Sequence, residues 1–150
     1  MIKTSVTILF AQLPIFIIIL LFLTLDTIVN PISYLINISG HISIIFLFVT
    51  LLSSRIIFLK EKLDRRVLGL ASFFYLIAHM IFYYIDNNFI LEYMVDDLIS
   101  LSFIQVGYFA FILYLPLVFS SSSKAKIILG KLWSSIHKLI YLILAISLIH

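Results

Sequence analysis

The sequence contains no cysteine and few charged residues, and both shortages limit what the protein can be. Without cysteine there are no disulfides, thiolate metal sites, iron–sulfur clusters or cysteine nucleophiles, so any redox chemistry must come from a bound cofactor. Charged residues make up 11% of the chain, against about a quarter in a soluble domain. A nucleophile elbow, an HExxH zinc motif and a phosphate-binding glycine loop are also missing from the sequence, so a hydrolase has no support.

Apolar residues, by contrast, make up 63% of the 150 residues. No soluble core of this size could bury so much apolar surface, so the bilayer must be the solvent. Continuous apolar runs favour helices over a β-barrel, and a helix needs about 20 residues to cross the hydrocarbon core. We therefore predict an all-α membrane protein, one domain over residues 1–150, with about five spans: Val6–Leu25, His41–Leu59, Val67–Ile85, Phe103–Phe119 and Leu132–His150.

The charges are distributed asymmetrically between the predicted connections. All ten basic residues fall on one side: Lys3, Arg55, Lys60, Lys62, Arg65, Arg66, Lys124, Lys126, Lys131 and Lys138. The connections on the other side carry only acids: Asp26, Asp86, Glu92, Asp96 and Asp97. The positive-inside rule assigns the basic side to the cytoplasm, which predicts a cytoplasmic N-terminus. This distribution explains the basic residues without a nucleic-acid partner.

Histidines are the candidate functional residues. His79 lies in the middle of the apolar stretch ASFFYLIAHMIFYYI, and His137 and His150 lie on the last predicted span. Ionisable groups at such depth are rare and usually functional, and neutral imidazole is a common axial ligand of haem iron. The alternative is a histidine satisfied by a carbonyl or hydroxyl across a helix interface. His41 is expected at the outer interface, where water can satisfy it.

The spacing of the histidines leaves their pairing open. At 1.5 Å per residue, His137, His79 and His150 are expected at about 8, 18 and 27 Å from the inner edge. One haem or two are both compatible with these depths. A haem near the inner side could bind its propionates through cationic residues, with Arg65, Arg66, Lys131 and Lys138 as candidates. Glycines at positions 69 and 107 either leave room for a porphyrin or allow close helix packing.

Three segments together resemble a known family: DRRVLGLASFFYLIAHMIFYYI, QVGYFAFILYLPLVFSSSS and LGKLWSSIHKLIYLILAISLIH. They are similar to the haem-binding membrane subunit of the bacterial protein-methionine-sulfoxide reductase system, a member of the ferric-reductase-like transmembrane family. The resemblance runs from about Ser39 to the end of the chain. Its most specific matches are Arg65-Arg66, Leu68-Gly69-Leu70, His79, Leu129-Gly130-Lys131, Trp133, His137 and Tyr141, with His150 at the position of the family's last histidine.

The resemblance implies an electron-transfer subunit of the bacterial inner membrane that has no substrate chemistry of its own. His79, His137 and His150 take the positions of the family's haem-linked histidines, and the implied cofactors are haem b and, as a further candidate, FMN. Electrons would come from a cytoplasmic flavin reductase or from membrane quinol. They would pass to a periplasmic molybdopterin enzyme that reduces methionine sulfoxide in proteins, a reversible lesion. Because the family usually has a sixth span, we expect either a truncated chain or a reduced member with fewer haems.

Three alternatives from other classes remain at this point. A ferric- or oxygen-reducing oxidase subunit would use a similar haem bundle, but it normally carries a flavin and nicotinamide domain. A proton-coupled transporter could use the buried histidines, although no Asp, Glu, Lys or Arg lies deep in a predicted span to extend a relay. A membrane assembly protein would need no haem, and a colourless purified sample would distinguish it.

Overall fold

The computed structural model describes residues 2–24 and 30–150, and this part of the chain forms helices and no strand. The helices are α1 (Ile2–Thr24), α2 (Pro31–Arg55), α3 (Ile57–Lys62), α4 (Arg65–Asp86), α5 (Leu91–Ser100), α6 (Ser102–Phe119), α7 (Ser123–Leu129), α8 (Lys131–His137) and α9 (Leu139–Ile149). By length and composition, five stretches of the described residues can cross a membrane: Ile2–Leu20, Pro31–Arg55, Arg65–Asp86, Ser102–Phe119 and Lys131–Ile149. The predicted all-α membrane protein with five spans is confirmed.

The second span differs from its predicted bounds, His41–Leu59, at both ends. Asn30 caps α2 by accepting a hydrogen bond from the Ser33 backbone N–H at 3.2 Å, and Pro31 occupies the first helical turn. Both are standard helix-start signals, so the helix begins ten residues earlier than predicted. It ends at Arg55 because Ile56 is extended, and Leu59 belongs to α3. His41 consequently lies well inside the helix rather than at its start.

The other boundaries agree more closely. The first predicted span reaches Leu25, which lies outside the described residues, as does the acidic residue Asp26. The last span is interrupted at Lys138, where a turn separates α8 from α9. The acidic connection expected after the third span contains a helix, α5. Its acids Glu92, Asp96 and Asp97 are therefore helical rather than loop residues.

The chain separates into two compact units, one ending at Asp86 and the other beginning at Asn87. In the first unit, α2 and α4 run antiparallel. Three contacts establish this direction, because Ile36 meets His79, Ser43 meets Ser72, and Thr50 meets Gly69.

Two serines join α2 to α4 by a reciprocal pair of hydrogen bonds. The Ser43 hydroxyl donates to the Ser72 carbonyl at 2.9 Å, and the Ser72 hydroxyl donates to the Ser43 carbonyl at 2.7 Å. Both side chains are buried. Small polar residues let two membrane helices approach closely and bond to each other where no water competes. These bonds set the register of the two helices.

Aromatic packing lies beside the serine pair and includes α1. The rings of Phe46 and Tyr75 stack with centroids 5.5 Å apart, and Phe10 packs edge-on against Phe46 at 5.7 Å. The Tyr75 hydroxyl donates to the Ala11 carbonyl at 2.9 Å, which fastens α1 to the pair. One turn earlier on α1, the Thr7 hydroxyl accepts a hydrogen bond from the Asp64 backbone N–H at 2.7 Å.

The second unit is organised around α6 and α9. These helices also run antiparallel, since Phe103 meets His150 at one end and Ser120 meets His137 at the other. The buried residues of these two helices are Ala110, Tyr114, Leu117, Ile140 and Ile143. Many other large apolar side chains point outwards, for example Ile112 at 58% exposure, as expected for a surface that meets lipid.

Ser72→Ala is expected to destabilise the first unit by about 1 kcal/mol, since interhelical hydrogen bonds in membranes contribute about 0.6 to 1.7 kcal/mol. The matched control is Ser54→Ala, because the Ser54 hydroxyl bonds within its own helix, to the Leu51 carbonyl at 2.7 Å. Thermal unfolding followed by circular dichroism in detergent measures both. Equal midpoints for the two variants would show that the interhelical hydrogen bond of the Ser72 hydroxyl contributes nothing to stability.

Candidate functional site

His79 lies on α4 with its ring half-buried against α2. Its Nδ1 atom is 2.8 Å from the Ile36 carbonyl oxygen. A carbonyl oxygen can only accept, so Nδ1 carries the proton and donates it. In a neutral imidazole the lone pair is then on Nε2. This is the arrangement in which histidines bind metals, with one ring nitrogen oriented by a carbonyl and the other facing the metal.

The His79 ring rests directly on Gly40. A Cβ atom at position 40 would lie 3.0 Å from His79 Nδ1 and 3.2 Å from its Cε1. Gly40 follows Ile36 by one helical turn, so the carbonyl and the glycine share one face of α2. We call Ile36 and Gly40 together the Gly40 platform.

His150 has the same arrangement on α6. Its Nδ1 is 2.6 Å from the Phe103 carbonyl oxygen, which again makes Nδ1 the donor. A Cβ atom at position 107 would lie 2.7 Å from His150 Cε1 and 3.0 Å from Nδ1. Phe103 precedes Gly107 by one turn, as Ile36 precedes Gly40, and we call Phe103 and Gly107 the Gly107 platform. His150 is more exposed than His79.

His137 is held differently, at the opposite end of the α6–α9 pair. Its Nε2 is 3.1 Å from the Ser120 hydroxyl oxygen, and that hydroxyl lies 2.6 Å from the Pro116 carbonyl oxygen. The hydroxyl proton goes to the carbonyl, so Ser120 accepts from Nε2–H of His137. Seventeen residues separate Phe103 from Ser120 along α6, a rise of about 25 Å. The two histidines of this unit therefore lie far apart.

The Trp133 side chain packs against His137, and the Lys126 side chain packs against Trp133. The Trp133 ring lies 4.2 Å from the His137 ring, centroid to centroid, and its Nε1–H donates to the Ser120 carbonyl at 3.0 Å. The Lys126 ammonium lies 4.9 Å from the centre of the Trp133 ring, a cation–π distance. Trp133 and Ser120 together fix the position of His137 at the end of α8.

Lys131 and Lys138 flank the helix that ends at His137, whereas Arg65, Arg66 and His41 do not lie at these histidines. Arg65 and Arg66 are exposed in the first turn of α4, about 20 Å along the helix from His79. His41 is exposed, and its Nδ1 lies 2.7 Å from the Asn37 carbonyl of its own helix. A Cβ atom at position 69 would lie an ordinary 3.8 Å from Thr50 Cγ2, so the contact of α4 with α2 at this point does not require glycine.

Sequence reasoning missed Gly40 as a contact of His79. The available signal was a glycine inside an apolar helix, which often marks a close approach of another group. The partner could not be read from the sequence, since 39 residues separate Gly40 from His79.

Trp133→Phe is expected to lower the stability of the second unit by about 1 kcal/mol, because the Ser120 carbonyl loses a donor while an aromatic ring remains. Phe119→Leu serves as the control, since Phe119 is 77% exposed. Both are measured as unfolding midpoints by circular dichroism in detergent. A midpoint for Trp133→Phe that equals the control value would contradict the role given to the indole N–H.

Comparison with known proteins identifies relatives of the amino-acid sequence. No protein-family model matches the chain, and no solved structure matches it. Curated relatives carry the name protein-methionine-sulfoxide reductase heme-binding subunit MsrQ. The protein of Herminiimonas arsenicoxydans is 34% identical over 128 residues, which cover 81% of this chain and 58% of that protein. The protein of Polaromonas naphthalenivorans is 34% identical over 127 residues, with the same coverage.

A third relative, from Brucella ovis, is 36% identical over 87 residues, 57% of this chain and 40% of its own length. The chain thus spans less than three fifths of the length of the curated relatives that it matches. The resemblance seen in the sequence is confirmed, and the chain is a homologue of the haem-binding subunits of protein-methionine-sulfoxide reductase.

Proposed function

We propose that the chain is a haem b-binding membrane subunit that transfers electrons to a protein-methionine-sulfoxide reductase. The observation that carries this proposal is the likeness to proteins named as heme-binding subunits of that reductase, over 81% of this chain. Haem ligation and electron transfer by this chain are proposed from that likeness, which covers 58% of the relative's length. We also propose that residues 1–150 act as one haem-binding domain.

The histidines have the chemistry that a haem ligand needs. Protonation at Nδ1, supported by a backbone carbonyl, puts the lone pair of His79 and His150 on Nε2, which suits an axial ligand. Bound haem would supply a one-electron carrier within the membrane. We propose His79, His137 and His150 as axial ligand candidates for one or two haems. His137 would have to release Ser120 to ligate through Nε2.

We propose that cationic residues on the basic side of the membrane bind the haem propionates. Arg65 and Arg66 begin α4, and Lys131 begins α8 with Lys138 at its end. Arg65 is about 20 Å from His79 along the helix. These arginines therefore fit a haem close to the basic side of the membrane better than a haem at His79.

The proposed electron path crosses the bacterial inner membrane with the N-terminus in the cytoplasm. The donor would be a cytoplasmic flavin reductase or membrane quinol, with FMN as an additional candidate cofactor. The acceptor would be a periplasmic molybdopterin enzyme, and the acids of α5 are available on that side for docking. Repair of methionine sulfoxide is a reduction, so the subunit has to deliver electrons rather than bind the damaged protein itself.

Oxidised and dithionite-reduced absorption spectra test haem binding. The purified chain, expressed with adequate haem supply, is expected to show a sharp reduced α-band of b-type haem. His79→Ala is expected to lose most of that band, because the half-buried ligand is removed. His137→Ala and His150→Ala then report which further histidines complete the coordination.

His41→Ala is the matched control, since His41 is exposed and bonds within its own helix. It is expected to retain the wild-type spectrum, and circular dichroism checks that every variant remains helical. A colourless wild-type protein would refute haem binding and favour an assembly or transport role.

Electron delivery is tested with the reduced protein. After removal of excess dithionite, the α-band is expected to decay when a periplasmic molybdopterin methionine sulfoxide reductase and methionine sulfoxide are added together under anaerobic conditions. The mixture with the sulfoxide but without the reductase should keep the band, which controls for leakage. A band that persists in the complete mixture would exclude this reductase as the electron acceptor.

A further inference from the structure

We infer that Gly40 and Gly107 are positioning residues that orient His79 and His150 for ligation through Nε2. This inference rests on the proposed function for its haem chemistry, while the orientation itself is a property of the chain alone. Each glycine acts together with the carbonyl one turn before it, as the Gly40 platform and the Gly107 platform.

The two platforms use the same geometry in separate units. In each, a histidine ring lies on a glycine, and its Nδ1–H donates to the carbonyl four residues earlier, at 2.8 Å for His79 and 2.6 Å for His150. The closest approach of a hypothetical Cβ to the ring is 3.0 Å at Gly40 and 2.7 Å at Gly107. Real Cβ atoms essentially never lie under 3.0 Å from such a neighbour, so Gly107 is the more restricted position.

Helix geometry explains the spacing of four residues. In an α-helix the carbonyl of residue i−4 accepts from the N–H of residue i. A carbonyl oxygen has a second lone pair, and a side chain of another helix can reach it. A Cβ on residue i would occupy the space beside that lone pair. Glycine removes this obstacle, so an imidazole ring can lie flat over the helix and bond to the carbonyl.

His79 and His150 lie on the two glycine platforms, and His137 is held by different contacts. His79 and His150 have the proton on Nδ1, whereas His137 has it on Nε2 because Ser120 accepts there. Among the described residues, no glycine lies against the His137 ring, which packs against Trp133 instead. His79 and His150 are therefore oriented for iron before haem arrives, and His137 is oriented for a different contact.

The first test measures the orientation without haem. The full chain, labelled with ¹⁵N-histidine and purified without haem, is examined in detergent by NMR, with signals assigned through single His→Gln variants. His79 and His150 are expected in the Nδ1–H tautomer, and His137 in the Nε2–H tautomer. Gly40→Ala is expected to shift the ¹⁵N signals of His79 alone, and Gly107→Ala those of His150 alone.

Gly69→Ala is the matched control, because a Cβ there would meet Thr50 Cγ2 at an ordinary 3.8 Å. It is expected to leave every histidine signal in place. All three changes put alanine into a helix interior, where it is favoured over glycine, so a general loss of helix is not expected.

The second test measures haem binding by the same variants. Loss of a residue that orients a metal ligand typically lowers metal affinity 10- to 100-fold. Gly40→Ala and Gly107→Ala are each expected to bind haem at least about tenfold more weakly, with altered low-spin EPR g-values in the haem that remains. Gly69→Ala is expected to match the wild type in both.

A double-mutant cycle separates positioning from helix packing. Once the ring is removed by His79→Ala, adding Gly40→Ala is expected to cause no further loss of stability, and the unfolding midpoint stays level or rises because alanine is favoured over glycine inside a helix. A loss of stability that is the same with and without His79 would mean that Gly40 serves helix packing, and would overturn the inference. Unchanged ¹⁵N signals in both glycine variants would overturn it as well. A wild-type chain that binds no haem would refute the proposed function, while the NMR test would still decide the orientation.

Discussion

The reciprocal hydrogen bonds of Ser43 and Ser72 determine how α2 meets α4, and the first unit depends on that register. Gly40 lies one turn from Ser43, and His79 lies two turns from Ser72. With the serines in contact, the antiparallel pair puts His79 over Gly40 and within reach of the Ile36 carbonyl. A change of register by one residue would turn the imidazole away from this carbonyl. The same packing holds Phe46 against Tyr75, and through them it holds α1.

Polar side chains in both units find partners within the protein. Among the described residues, no buried side-chain nitrogen or oxygen lacks a hydrogen-bond partner. Hydroxyls often bond within their own helix, as Thr50 does to the Phe46 carbonyl at 2.7 Å. His79, His137 and His150 instead use a carbonyl or hydroxyl from another helix or its cap, which orients each ring relative to that helix. Local bonds satisfy polar groups, whereas these interhelical bonds also select the protonated nitrogen.

Much of the fold could be predicted from the sequence, and the errors have clear physical causes. Apolar length identified the five spans. The start of α2 was missed because the cap formed by Asn30 and Pro31 lies in a more polar stretch than the rest of the span. The interruption at Lys138 was missed because hydropathy does not register a single turn within an apolar run. His79, His137 and His150 were identified as candidates, yet their partners were not, since each partner lies on another helix.

The sequence by itself determined that this protein lies in a lipid bilayer and that it is helical. Continuous apolar runs must become helices in a bilayer, because each backbone N–H and C=O has to be satisfied within its own segment. Only the tertiary structure decided which nitrogen of His79, His137 and His150 carries the proton. That choice depends on an acceptor supplied by another helix: the Ile36 carbonyl for His79, the Phe103 carbonyl for His150 and the Ser120 hydroxyl for His137. Such acceptors come within hydrogen-bond distance only when the helices pack.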